Sequence, residues 1–156
     1  MTDSPTATTG GEATISRVFD APRELLWKYF TEPELFAQWF GTPPYTTPAS
    51  KVSMDVRPGG AWQATMVHET DGTELPFRGT FKEVVAPERL VQTFEDVSDP
   101  DNQNVELLTT TLTAVAGGKT EATYHQVGHM GAEEYQRVEE GVSGFYERLA
   151  ESLAQR

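Results

Sequence analysis

Apolar residues recur at helical spacing over the last part of the chain, from Gly131 to Arg156. No other segment combines this length with a one-sided apolar pattern, so the spacing predicts one long amphipathic helix. Its apolar side is formed by Val138, Val142, Phe145, Leu149 and Leu153. Because such a side needs a partner layer, we expect the helix to cover one face of a sheet.

The segments before it alternate apolar and polar residues, which is typical of half-buried strands. A first strand is predicted at Ala13 to Asp20, and later strands at residues 51–57, 61–69, 77–86, 90–95, 105–115 and 120–128. Asp71-Gly72 and Gly117-Gly118 are hairpin signals between neighbouring strands. The alternation therefore predicts an antiparallel meander with one face buried.

Two short helices are predicted between the first two strands. Asp20 can cap the first helix, and Pro22 suits its first turn. The second helix starts near Thr31 and ends at Gly41. The complete order predicts an α+β fold, in which a curved antiparallel sheet of six to seven strands is wrapped around the long C-terminal helix. This order is the helix-grip arrangement.

The chain of 156 residues suits one domain, which we place at residues 13–156. Residues 1–12 are small, polar and interrupted by Gly10-Gly11, so we expect a disordered tail that is neither a signal peptide nor a membrane span. Residues 96–104 are rich in Asp and Asn and are expected to form a loop.

Charge and cysteine content exclude several classes of function. The formal net charge of −12 at pH 7 would repel phosphate backbones and anionic lipid surfaces, so we expect no nucleic-acid partner and no membrane insertion. Cysteine is absent, which excludes a disulfide framework, a thiol nucleophile and a thiolate metal site. We expect a cytoplasmic protein.

Several segments resemble one known family, the activators of the ninety-kilodalton heat-shock protein ATPase. The matching runs are APRE at 21–24 followed by Trp27, EPELFAQWFG at 32–41, DVRPGGAW at 55–62, and FRGTF at 77–81 followed by PERL at 87–90. The resemblance covers nearly all of residues 13–156 and implies the START-like superfamily of lipid-transfer proteins, polyketide cyclases and ligand carriers. It departs in the last helix, where the family often has Gly-Trp and this chain has Gly141-Val142.

The wide predicted sheet exposes more apolar surface than one helix can cover, since a helix is only about 10 Å across. The uncovered part is either filled by the short helices and the protein's own side chains, or left as a cavity for a small molecule. The candidate ligand-binding residues are Trp39, Trp62, Met66, His68, Phe77, Phe81, Phe94, Leu112, Tyr124, Val142, Phe145 and Tyr146.

Gly141 and Gly144 lie inside the predicted helix, where each costs about 1 kcal/mol relative to Ala. They leave space for a ligand or, as the interpretation that we favour, let the helix pack closely on Trp39 or the sheet. His125 and His129 fall on a strand and its end rather than on one helix face, so we expect no metal site. We also expect no cofactor.

The leading hypothesis is therefore a domain that binds a small hydrophobic or amphipathic molecule between the sheet and the last helix. One alternative, implied by the resemblance, is a chaperone-related or stress-related module that binds another protein. A further alternative is a polyketide-cyclase-like enzyme that uses His68, Tyr124 or Glu69, although we assign no catalytic residue. The sequence is compatible with a monomer or a homodimer.

Overall fold

A computed structural model of the chain describes residues 11–41, 43–96 and 105–155. Most of the predicted tail and most of the predicted loop at 96–104 lie outside the described residues. Glu12, at the end of the predicted tail, begins the first strand.

The described residues form one curved antiparallel sheet and three α-helices in an α+β helix-grip fold, as predicted. The strands are β1 (Glu12–Phe19), β2 (Tyr45–Thr46), β3 (Val52–Met54), β4 (Ala61–His68), β5 (Glu74–Val85), β6 (Arg89–Asp96), β7 (Glu106–Val115) and β8 (Lys119–Val127). The helices are α1 (Arg23–Thr31), α2 (Pro33–Phe36) and α3 (Ala132–Ala154), and a single 3₁₀ turn spans Ala49–Lys51.

The strand order is β1-β8-β7-β6-β5-β4-β2, with β3 also paired to β4. The eight strands exceed the predicted six to seven because the Tyr45–Thr46 pair, expected to be a loop, hydrogen-bonds to β4. The strand predicted at 51–57 is shorter than expected, since only Val52–Met54 is paired before the chain turns at Pro58.

Pro22, and not the predicted Asp20, caps α1. Its extended backbone directs its carbonyl to accept the N–H groups of Leu25 and Leu26, so the helix begins at Arg23, two residues later than a cap at Asp20 would place it. No side chain caps this end. The predicted second helix is reduced to the four residues of α2, followed by turns up to Gly41.

Helix α3 packs across the sheet and is tied to both of its flanks. On one flank, the Glu139 carboxylate accepts the backbone N–H of Thr14 at 2.9 Å, and Arg17 donates to Glu147 at 2.8 Å. On the other flank, the Arg148 guanidinium donates to the Gly41 carbonyl oxygen at 2.7 Å. The helix is therefore held in place over the buried face of the sheet.

Gly79 allows β5 and β6 to meet closely beneath Trp62. A Cβ at this position would lie 1.8 Å from the Thr93 carbonyl oxygen and 2.6 Å from the Trp62 indole nitrogen. Without a side chain there, the Trp62 N–H donates to that same carbonyl at 2.9 Å. This hydrogen bond fixes a large ring on the buried face of the sheet.

Candidate functional site

A cavity of about 230 Å³ lies between the sheet, α3 and the two short helices. It is lined by Phe30, Phe36, Trp39, Phe40, Trp62, Met66, Phe77, Gln92, Phe94, Leu108, Thr110, Tyr124, Gln126, Met130, Val138, Gly141, Val142, Phe145 and Tyr146. Most of these side chains are apolar, and among the described residues that line the cavity none carries a charge. Such a lining is typical of a small-molecule site.

Most of the predicted ligand-binding residues line this cavity. They are Trp39, Trp62, Met66, Phe77, Phe94, Tyr124, Val142, Phe145 and Tyr146. The strand alternation placed the sheet residues on this face, and the helical spacing placed the residues of α3 opposite them.

Three predicted residues are not in the lining. Phe81 and Leu112 are packed into the protein core, with 1% and 2% of their surface exposed. His68 lies at the end of β4, where its ring contacts Tyr45 and its Nδ1 accepts the backbone N–H of Thr70 at 3.2 Å. The strand β4 extends beyond the cavity at His68. His68 therefore lies outside the site although it has the same strand parity as Trp62 and Met66.

The α1–α2 region supplies a wall of aromatic rings. Phe36 stacks on Phe40 with ring centroids 4.7 Å apart, and Phe30 meets Trp39 edge to face at 4.9 Å. The Trp39 indole N–H donates to the Tyr29 carbonyl at 2.9 Å, which orients the ring. These short helices therefore form part of the site instead of filling it.

Gly141 faces the cavity from α3. Apart from its chain neighbours and the nearby backbone of α3 itself, no described atom lies within 4 Å of the position that a Cβ would occupy. The favoured interpretation, close packing of the helix backbone at this position, is therefore wrong for Gly141. The missing side chain leaves open volume beside the helix.

The hydroxyl group of Tyr146 is buried and has no hydrogen-bond partner in the described part of the chain. Its ring is enclosed by edge-to-face contacts with Phe19, Phe30 and Trp39. Burial raises the pKa of this hydroxyl well above its usual range, so the group stays protonated. An unpaired buried hydroxyl costs about 1–3 kcal/mol.

Polar side chains meet at one end of the cavity. The Tyr124 hydroxyl donates to Gln126 Oε1 at 2.5 Å, and Gln126 Nε2 donates to Glu106 Oε1 at 3.0 Å. Tyr124 and Gln126 line the cavity, while Glu106 lies behind them with 2% of its surface exposed. The end of the cavity is thus connected by hydrogen bonds to a buried carboxylate.

Glu106 receives further donors from His129, which lies between β8 and α3, and from Tyr135, which lies near the start of α3. The Tyr135 hydroxyl donates to its Oε1 at 2.7 Å, the backbone N–H of His129 donates to its Oε2 at 2.9 Å, and His129 Nδ1 lies 2.5 Å from the same oxygen. Burial raises the pKa of Glu106, but these hydrogen bonds and that from Gln126 outweigh burial, so its pKa lies below the usual value. Glu106 is therefore ionised at neutral pH.

Gly128 makes this close approach possible. A Cβ at Gly128 would lie 2.1 Å from Glu106 Oε2, so a side chain here would displace the carboxylate from its donors. Burial, together with the hydrogen bond to Glu106, raises the pKa of Tyr135 to about 12. Tyr135 therefore remains a donor to the carboxylate.

Sequence reasoning missed Glu106, although a signal was present. Glu106 has the same strand parity as Leu108 and Thr110, and parity alone would have placed it on the buried face. Three further residues that the sequence analysis did not select for the site also line the cavity, namely Gln92, Gln126 and Met130.

The histidines do not come together in the described structure. His125 Nε2 lies 2.6 Å from Glu12 Oε1 at the edge of the sheet, whereas His129 pairs with Glu106. The described residues contain no cluster of three or more His, Asp or Glu side chains arranged to hold a metal ion. None of their helices is long and apolar enough to cross a bilayer.

The curved sheet, the long helix and the apolar cavity between them define a START-like helix-grip protein. A family model for the Activator of Hsp90 ATPase homolog 1-like proteins matches residues 20–154. The chain therefore belongs to that family, in agreement with the resemblance seen in its sequence motifs. Proteins with this fold commonly bind ligands.

Solved structures support the same fold. A protein of Nitrosomonas europaea is 26% identical with a TM-score of 0.76, and the match covers 93% of this chain and 95% of that chain. A protein of Chromobacterium violaceum is 24% identical with a TM-score of 0.78 and coverages of 90% and 95%. An AHSA1 protein of Silicibacter pomeroyi is 21% identical with a TM-score of 0.81 and coverages of 92% and 98%. No curated protein matches the sequence significantly.

Proposed function

We propose that this protein binds a small apolar or amphipathic molecule in the cavity between the sheet and α3. The observation that carries the proposal is the open volume itself, which lies beneath aromatic rings from α1, α2, β4, β5 and β6. Protein interiors are normally packed to the density of organic crystals, so an unfilled apolar space of this size is uncommon.

The volume limits the size of the molecule. An apolar cavity of about 150 Å³ holds benzene, so about 230 Å³ suits roughly ten non-hydrogen atoms. This corresponds to a compound of one or two rings rather than a long acyl chain. The ring of Phe94 stacks on Trp62 with centroids 6.0 Å apart and on Phe77 with centroids 5.0 Å apart, and these flat faces favour a planar ring system.

The experiment is equilibrium dialysis of the purified protein against naphthalene. A molecule of this size should bind with a Kd on the order of 10 μM. Native mass spectrometry of the freshly purified protein would detect a ligand retained from the expression host. Absence of saturable naphthalene uptake by ligand-free protein would contradict the proposal.

Gly141→Leu is the matching variant, because its side chain would extend from α3 into the open volume. We expect naphthalene affinity to fall at least tenfold while urea denaturation shows a folded protein. Ser143→Leu is the control, since Ser143 lies on the exposed side of the same helix. Equal affinities for the two variants would indicate that naphthalene binds elsewhere.

The same binding function is compatible with a cytosolic monomer or homodimer. The residues that line the described site all come from one chain.

A further inference from the structure

The polar end of the cavity is a chain of hydrogen bonds with a single possible direction. It runs from the Tyr124 hydroxyl to the Gln126 amide and from there to the Glu106 carboxylate. Its direction depends on Glu106, because an ionised carboxylate can only accept hydrogen bonds.

Glu106 is held in the accepting state by its surroundings. Tyr135 and the backbone of His129 both donate to it, and its pKa lies below the usual value. Gln126 must therefore turn its NH₂ group towards Glu106 and its carbonyl oxygen towards Tyr124. The Tyr124 hydroxyl consequently donates its only proton in the hydrogen bond to Gln126 Oε1.

We propose that Tyr124 Oη faces the cavity purely as a hydrogen-bond acceptor, and that the ligand is an uncharged ring compound with a hydroxyl or N–H donor. This inference rests on the proposed binding function and specifies the class of molecule that the site takes. Tyr124 lies in the lining, and a phenol oxygen that donates its own proton keeps lone pairs that can accept a donor from the ligand.

The surrounding charges exclude an anionic ligand. Among the described residues of the lining there is no Lys, Arg or His to pair with a carboxylate. A carboxylate placed at this end would lose its water and would lie near the negative charge of Glu106. The formal net charge of −12 adds to the repulsion during approach.

The test compares three two-ring probes of similar shape, which are 2-naphthol, 2-methoxynaphthalene and 2-naphthoate, by equilibrium dialysis at pH 7. Naphthol has the donor, its methyl ether lacks it, and naphthoate is an anion. The wild-type protein should bind naphthol about tenfold more tightly than the ether, which is the effect of one net hydrogen bond. Naphthoate should show no saturable binding.

Tyr124→Phe removes the acceptor and keeps the ring. The ratio of naphthol to ether affinity should fall to about one, while the ether binds as it does to the wild type. Tyr45→Phe is the matched control, since it removes a tyrosine hydroxyl on β2 and Tyr45 is not part of the cavity lining. This control should keep the tenfold ratio.

Equal binding of naphthol and ether by the wild type would overturn the inference, as would a preference that survives Tyr124→Phe. Naphthoate binding as tight as that of naphthol would do the same. If Tyr124→Phe does not fold, the inference is still tested by the ratio of naphthol to ether affinity and by naphthoate binding, both measured on the wild-type protein. If naphthol, its ether and naphthalene all fail to bind, the proposed function itself fails, which is a distinguishable result.

Discussion

Glu106 is the residue whose position most needs explanation, because a charged side chain is rarely so deeply buried. Burial alone would favour its neutral form. Three donors, from Gln126, His129 and Tyr135, reverse that preference by stabilising the carboxylate. The folded state therefore depends on Glu106 being ionised.

This dependence predicts an acid-sensitive contribution to stability. The pKa of Glu106 is lower in the folded protein than the usual value of about 4.3. Its stabilisation is therefore complete above that value and is lost as the pH falls through the folded pKa. Glu106→Gln should reduce the free energy of unfolding at pH 7 by about 2 kcal/mol. It should also flatten the decline in stability between about pH 5 and pH 3, as measured by urea denaturation.

Glu140→Gln is the control for this measurement, because Glu140 is exposed on α3. Its stability at pH 7 should change by less than about 0.5 kcal/mol. A Glu106→Gln variant that loses as much stability in acid as the wild type would contradict the role assigned to the carboxylate.

Individual site residues were predictable where a regular pattern places them. Alternation brought Trp62, Met66 and Phe77 into the lining, but it cannot tell where along a strand the cavity ends. For that reason His68 and Phe81 were selected although they lie outside the cavity lining. Glu106 was missed because charge normally indicates an exposed position, and its donors come from distant parts of the sequence.

At the scale of elements, α3 is stabilised by packing and by its ties to both flanks rather than by helix propensity alone. Gly141 lies in its middle, where a glycine leaves the unfolded chain with more freedom to lose on folding. The open space beside it means that a methyl group would meet no steric opposition.

Gly141→Ala should therefore stabilise the protein by about 1 kcal/mol. Thermal or urea denaturation of the two proteins would measure the difference. Gly79→Ala provides a contrast, since its methyl group would collide with the Thr93 carbonyl and should destabilise the protein strongly. Destabilisation by Gly141→Ala would indicate that the helix is packed more tightly at this point than the structure describes.

The major elements were predictable from their periods, and the small ones were not. Helix α3 and the long strands repeat their patterns several times, so their type and order are confirmed. The two residues of β2 are too few to show any period, and they form a strand only because β4 lies beside them. The start of α1 at Arg23 depends on the backbone of Pro22, which composition alone does not determine.

At the scale of the whole molecule, the cavity follows from a mismatch between a wide curved sheet and a single covering helix. The sequence predicted that mismatch but left open whether side chains would fill the space. The structure has open volume there because Gly141 contributes no side chain and the aromatic rings of α1 and α2 stand at its edge. Whether the space is filled depends on the relative placement of the sheet, α1, α2 and α3, which the sequence pattern does not determine.

The large negative charge predicts a salt response of the whole molecule. Excess like charge destabilises a compact state, and salt screens the repulsion. Raising NaCl from about 20 mM to about 300 mM at pH 7 should increase the Tm by about 2–5 °C. The increase should shrink near pH 4.6, the isoelectric point of the sequence. An equal salt effect at both pH values would show that charge repulsion is not the cause.

The two margins of the open sheet have a consequence for behaviour at high concentration. In the described residues β1 and β2 stand at the ends of the strand order, where unpaired backbone groups can recruit strands from other molecules. On β1, Glu139 accepts the backbone N–H of Thr14, and the Arg17–Glu147 ion pair lies beside this hydrogen bond. At the other end of the sheet, β2 is only two residues long. We therefore expect the open sheet to offer other molecules no long template for fibril growth.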